Sequence, residues 1–133
     1  MSTTIAALRA GLAANLQTIS GLRVSAYVPD LIEPPMAVVS APSIQYDTAF
    51  QRGTDEYTFT IDVYVGRQVV KNAQVLLDAY VDPTAVKAAV ESDRTLGGAA
   101  FDCRVVSMNS YRAEDVGETP LLAASFEVMV VTA

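Results

Sequence analysis

The run "EYTFTIDVYVGR", residues 56–67, alternates along its whole length. Successive side chains of a strand point to opposite faces. Tyr57, Phe59, Ile61, Val63 and Val65 therefore share one face, and Thr58, Thr60, Asp62 and Tyr64 share the other. The first row needs a core. The second is half polar with an acid at its middle, unlike the charged surface of an ordinary solvated sheet.

The flanking sequence supplies the partners of that strand. Residues 3–19, "TTIAALRAGLAANLQTI", read as a helix, because Ile5, Leu8, Leu12, Leu16 and Ile19 recur at three- and four-residue spacing. Ser2 or Thr3 is placed to cap it, and Ser20-Gly21 to end it. Residues 22–28 and 36–41 read as short strands joined by the proline-broken "PDLIEPP". The polar segment 42–56, "PSIQYDTAFQRGTDE", reads either as an extended hairpin arm or as a loop, with Gly53 and Asp55 as turn signals.

After Gly66, "QVVKNAQVLLDAYV" predicts a second helix with Val69, Ala73, Leu76, Leu77 and Tyr80 on one face. Asp82-Pro83 stops it and starts a third over 83–92, burying Val86, Ala89 and Val90. Two strands, 101–113 and 120–131, close the chain around a hairpin loop, "EDVGETP". Leu122, Ala124, Phe126, Val128 and Val130 form the core row of the last strand; Ser125, Glu127, Met129 and Val131 form the other. Strand neighbours joined in this way predict an α+β domain over residues 1–133. A mostly antiparallel sheet would carry an N-terminal helix and a central helix pair on one face.

Composition narrows the function. The chain has 133 residues, 51% of them hydrophobic and 18% charged, enough for one core and too apolar for disorder. So low a charged fraction is a hint that some surface is covered by partners. The net charge of −6 comes without any Lys/Arg cluster, so the footprint of a nucleic-acid binder is missing. A single cysteine, Cys103, permits no intramolecular disulfide and reads as a buried thiol in a reducing compartment. No basic region precedes an apolar block at the N-terminus, and no apolar run approaches the roughly 20 residues of a membrane span.

Catalytic chemistry finds little support. There is no histidine, so neither a Ser-His-Asp nor a Cys-His arrangement can form, and a zinc site lacks its usual ligands. Asp55, Glu56, Glu114, Asp115 and Glu118 read as solvated loop carboxylates. Asp62 and Glu127 sit mid-strand on the non-core face, where a glycosidase pair would sit if the strands were neighbours. No tryptophan and no cluster of aromatics accompanies them. Pairing with Arg67, Arg104 or Arg112, or a position facing a neighbouring subunit or a solvent channel, are the competing readings. "TLGG", residues 95–98, lacks the spacing of a phosphate loop and reads as a turn.

The order of these elements resembles the tail terminator (tail completion) proteins of long-tailed phages. The resemblance covers nearly the whole chain. It rests on the strand with Ile61-Asp62-Val63 and Tyr64, the helix with Ala73, Leu76 and Leu77, and Thr95-Leu96-Gly97-Gly98. Position 64 is tyrosine where many members of that family carry tryptophan.

The resemblance implies a virion structural protein without catalysis or cofactor. Such proteins form a hexameric ring that caps the tail tube, ends its polymerisation and presents the surface for head attachment. Implied partners are further copies of the chain, the major tail tube protein and head-tail connector or stopper proteins. DNA passes through the lumen without specific binding, and no membrane is involved. Tyr46, Phe50, Arg52, Asp62, Tyr64 and Glu127 are the candidate subunit or tube contacts. Glu114, Asp115 and Glu118 are the candidate acidic lumen or rim. The alternatives are another neck or tail adaptor ring component and, from a different class, a small-ligand-binding α+β domain.

Overall fold

A computed structural model describes residues 5–19, 22–27, 35–40, 42–45, 55–67, 71–98, 100, 102–116 and 119–132. In chain order, α1 spans Ile5–Leu16, β1 Arg23–Ser25, β2 Met36–Val39, β3 Ser43–Gln45 and β4 Asp55–Arg67. Helix α2 covers Lys71–Val81. A helical run follows, wound as a π turn (Pro83–Lys87), an α turn (Ala88–Val90, α3) and a 3-10 turn (Glu91–Asp93). A further 3-10 turn covers Leu96–Gly98 before β5 (Asp102–Val116) and β6 (Thr119–Thr132).

The strands form one sheet in the order β1-β2-β4-β6-β5, and β3 pairs separately with β4. Only β1 and β2 run parallel; the other pairings are antiparallel. The architecture is the expected α+β one, with an N-terminal helix and a central helix pair.

Register puts the apolar rows side by side. Tyr57, Phe59, Ile61 and Val63 of β4 face Val130, Val128, Phe126 and Ala124 of β6 across the ladder. Ala37 and Val39 of β2 and Cys103 and Val105 of β5 extend the same surface. Leu8, Leu12 and Leu16 of α1, Leu77 and Tyr80 of α2, and Val86 and Val90 of the helical run cover it in one buried cluster. Each such side chain contributes about 1.5–3 kcal/mol when fully buried.

Two polar side chains and one glycine pin α1 in place. The Arg9 guanidinium is buried and donates through Nη1 to the carbonyls of Ala26 (2.7 Å) and Val39 (2.9 Å). It also lies over the Tyr27 ring, 4.6 Å from its centre. Asn15 donates to the carbonyls of Val90 and Asp93, both at 2.9 Å, which ties α1 to the helical run. Gly11 faces Leu96, where a Cβ would lie 2.6 Å from the Leu96 Cβ and 2.9 Å from its carbonyl oxygen.

Several expected boundaries are corrected. Helix α1 ends at Leu16, and the chain continues in turns to Ile19. Residues 43–45 of the polar segment form β3, and Asp55 opens β4 instead of turning, because both are captured by backbone pairing along the long strand. The closing hairpin is tighter than its composition suggests. Glu114 and Asp115 lie in β5 opposite Leu121 and Pro120, so they belong to the ladder and not to a loop. Thr95-Leu96-Gly97-Gly98 is a turn as expected, with Gly97 and Gly98 at φ values of 72° and 96°. Leu96 itself takes φ 52° and is buried, so this turn carries a core side chain on a left-handed backbone.

Among the described residues, no helix is long and apolar enough to cross a membrane.

Candidate functional site

The sheet face away from the helices holds the residues that composition and pattern singled out. Thr58, Thr60, Asp62 and Tyr64 are each half-buried, and so are Ser125, Glu127 and Met129 of the neighbouring strand. Between them Ala123 is fully buried and Leu121 nearly so. The face is neither a second core nor an ordinary solvated surface.

Asp62 is the centre of a hydrogen-bonded cluster. Across the ladder its partner is Ser125, whose hydroxyl donates to Asp62 Oδ1 at 2.5 Å. Ser40 donates to the other carboxylate oxygen at 3.2 Å. Arg112 donates through Nη1 to the Ser125 hydroxyl oxygen at 2.9 Å, and its Nη2 lies 3.9 Å from Asp62 Oδ1. Among the described side chains, Arg112 is therefore the arginine that pairs with Asp62; the Arg67 side chain lies outside them. A register shift between Asn109 and Arg112 brings that side chain onto this face.

Glu127 belongs to a second, smaller cluster. It faces Thr60 across the ladder, and its carboxylate accepts from the Ser107 hydroxyl at 3.2 Å. Asn109 in turn donates to the Ser107 oxygen at 3.0 Å. A groove of about 260 Å³ lies here, lined by Thr58, Thr60, Asn109, Ser125, Phe126 and Glu127. Asp62 and Glu127 thus sit diagonally on adjacent strands, each engaged by its own serine. The arrangement orients the two carboxylates separately; neither bonds the other.

Tyr64 ends this row opposite Ala123, just before the register slips between Tyr64 and Gly66. Gly66 takes φ 140°, a backbone conformation that disfavours a side chain. Tyr46, Phe50, Arg52 and Glu118 lie outside the described residues, as does Gly53. For Glu114 and Asp115 the strand backbone is described and the side chains are not.

A third polar group guards the outer strand. Lys87 and Glu91 form an ion pair at 2.6 Å, and Glu91 Oε2 also accepts the Val105 N–H at 3.0 Å. Burial pushes the Glu91 carboxyl up, but these two hydrogen bonds and the Lys87 and Arg94 charges outweigh it and leave the pKa below its ordinary value. Arg94 holds Asp102 by two hydrogen bonds, at 2.7 and 3.1 Å, and depresses its carboxyl. Asp93 is held low by the Thr95 hydroxyl and the Gly97 N–H. Cys103 is buried beneath them, and desolvation pushes its thiol up to about 11. A thiol of that kind is not a nucleophile near neutral pH.

Sequence pattern alone missed the serines. Ser40, Ser107 and Ser125 carry most of the contacts to the two acids, and only strand register brings them there. The available signal was the polar Ser125 and Glu127 alternating with the apolar row of β6. Among the described residues, no group of three or more His, Cys, Asp or Glu side chains is placed to hold a metal ion.

In comparisons with known proteins, no family model and no curated protein matches this chain.

Proposed function

We propose that the chain is a structural ring component of a long-tailed phage, a tail terminator that caps the tail tube and ends its polymerisation. The observation that carries this reading is the half-buried polar sheet face around Asp62, set on elements in the order that the resemblance implies. Its side chains already bond one another, which leaves a firm, mixed-polarity surface. Such a surface suits contact with another copy of the chain or the wall of a wet bore.

Other features support the same reading. Ala6, Ala10 and Ala14 are exposed at four-residue spacing on α1, a flat stripe that admits close approach of a neighbour. The net charge of −6 lets DNA pass without adhering. In a closed ring each contact joins two different surfaces of the chain, so a polar face and a separate edge can both be used.

Electron microscopy of purified tail tubes with and without the protein tests the proposal. A terminator produces capped tubes that no longer extend when tube subunits are added. Continued extension in its presence removes the reading. Loss of the gene gives overlong tails for a terminator and leaking filled heads for a stopper, which separates the two neck roles.

A further inference from the structure

We propose that residues 46–54 of one copy of this chain dock on the outer edge of β5 of the next copy, with Phe50 in the apolar pocket beside Val106 and Met108. The inference rests on the ring reading and names the contact that would build the ring.

Strand β5 is the edge of the sheet and is 15 residues long. Long edge strands invite pairing, and proteins usually blunt them. Here the blunting is uneven. At the start of β5 the Cys103 N–H is taken by Asp102 Oδ1 at 2.9 Å and the Val105 N–H by Glu91 Oε2 at 3.0 Å. Lys87 and Arg94 fix those two carboxylates. Beyond Val105 the blunting is by shape alone: the pairing with β6 slips between Val105 and Ser107 and again between Asn109 and Arg112. Among the described residues, no carboxylate and no strand meets the outer backbone over Val106–Tyr111.

That same stretch exposes apolar side chains. Val106 is 44%, Met108 37% and Tyr111 42% exposed, half of the large hydrophobics on the described surface. Beside them is a pocket of about 140 Å³, lined by Val81, Val105, Val106, Met108 and Phe126 together with the polar Lys87 and Ser107. Tyr111 is held at the far end by its hydroxyl, which donates to Asp78 of α2 at 2.8 Å. An open backbone edge with an adjoining side-chain pocket is the surface that takes an extended segment, with main-chain bonds for affinity and the pocket for selection.

The chain carries a segment of that chemistry. "YDTAFQRGT", residues 46–54, has two aromatics, no proline and balanced charges in Asp47 and Arg52. It follows β3, which pairs with β4 on the side away from β6 and β5, and it precedes β4 in the chain. The strand β3 that leads into the donor segment and the acceptor edge β5 therefore lie on opposite sides of β4. Doubled back, nine residues reach about 15 Å, roughly three strand spacings. Opposite placement favours a head-to-tail contact between copies, which closes into a ring.

The test uses two differently tagged full-length chains, one carrying Phe50→Cys and the other Val106→Cys, with Cys103 left in place because it is buried. They are mixed, oxidised and sized, free or on tail tubes, wherever the wild-type chain is oligomeric by native mass. Disulfide-linked pairs joining the two tags are expected. Val106→Asp, at an exposed site where circular dichroism should be unchanged, is expected to weaken self-association by about tenfold or more, as a charge placed in an apolar contact does. Wild-type oligomers that give no link between tags, or that persist unchanged in Val106→Asp, overturn the docking and leave the ring reading standing. A link only to tube protein also overturns it. A wild-type chain that is monomeric both free and with tail tubes removes the ring reading, and this inference with it.

Discussion

The two faces of β4 and β6 are built from the same two strands and behave differently. On one, Phe59, Ile61, Val63, Phe126, Val128 and Val130 are all within 2% of full burial. On the other, one step away in sequence, Thr60, Asp62, Ser125 and Glu127 are half-buried and bonded through serine hydroxyls. A single-residue slip in register would exchange the two rows. The core face therefore sets the register, and the polar cluster inherits its geometry from it. On the proposed reading, stability and recognition are carried by opposite sides of one ladder.

That division can be broken by mutation. Phe59→Ala should cost about 3–5 kcal/mol in denaturant unfolding, because a fully buried aromatic leaves a cavity. A loss below 1 kcal/mol would mean that the core face is loosely packed. Next comes Gly11→Ala, which forces a Cβ to within 2.6 Å of Leu96 and should cost about 1–3 kcal/mol by overpacking. A stabilised variant would show that α1 is free to shift from the 95–98 turn.

The polar face should respond more weakly. Asp62→Asn keeps the shape and removes the charge beside Arg112, a partly exposed pair, so unfolding should change by no more than about 1 kcal/mol. On the ring reading its larger effect is on capping of tail tubes. A stability loss as large as that of Phe59→Ala would place Asp62 in the folding core instead.

The smallest effect is expected from pH. The Glu91 carboxyl is depressed below the ordinary 4.5, so its stabilising contribution is complete above that value and is lost as pH falls through the lower folded value. Asp93 and Asp102 are depressed from 3.8 and act in the same direction. Thermal stability should therefore begin to fall below about pH 4.5, and Glu91→Gln should flatten part of that slope. A slope of the opposite sign would show that these carboxylates are strained in the folded chain.

Much of the core face was legible because its signal is local. Five alternating residues of β4 and five of β6 announce themselves by period alone, and the leucines of α1 by their three- and four-residue spacing. The serine partners of Asp62 were not legible. Ser40 and Ser125 are 22 and 63 residues from it in sequence, and a hydroxyl gives no pattern until strands are paired. Arg9 is a similar case. No pattern marks it in the sequence, yet it is a buried fastener for two carbonyls, because the strand carrying Val39 and the turn carrying Ala26 end against the same part of α1. Glu114 and Asp115 were misplaced in a loop because acidic and glycine residues signal turns, whereas an established hairpin ladder extends pairing beyond such signals.

By itself, then, the sequence determined the main apolar rows of β4, β6 and α1, since hydrophobic period is a property of neighbouring residues; Ile5, at the start of the α1 row, nonetheless stays exposed, and Leu96 is buried from a turn. Tertiary structure decided what the polar residues do. Hydrogen bonds are short and directional, so which serine meets Asp62, which N–H Glu91 covers and which part of β5 stays open follow only from register, bulges and the seating of the helices.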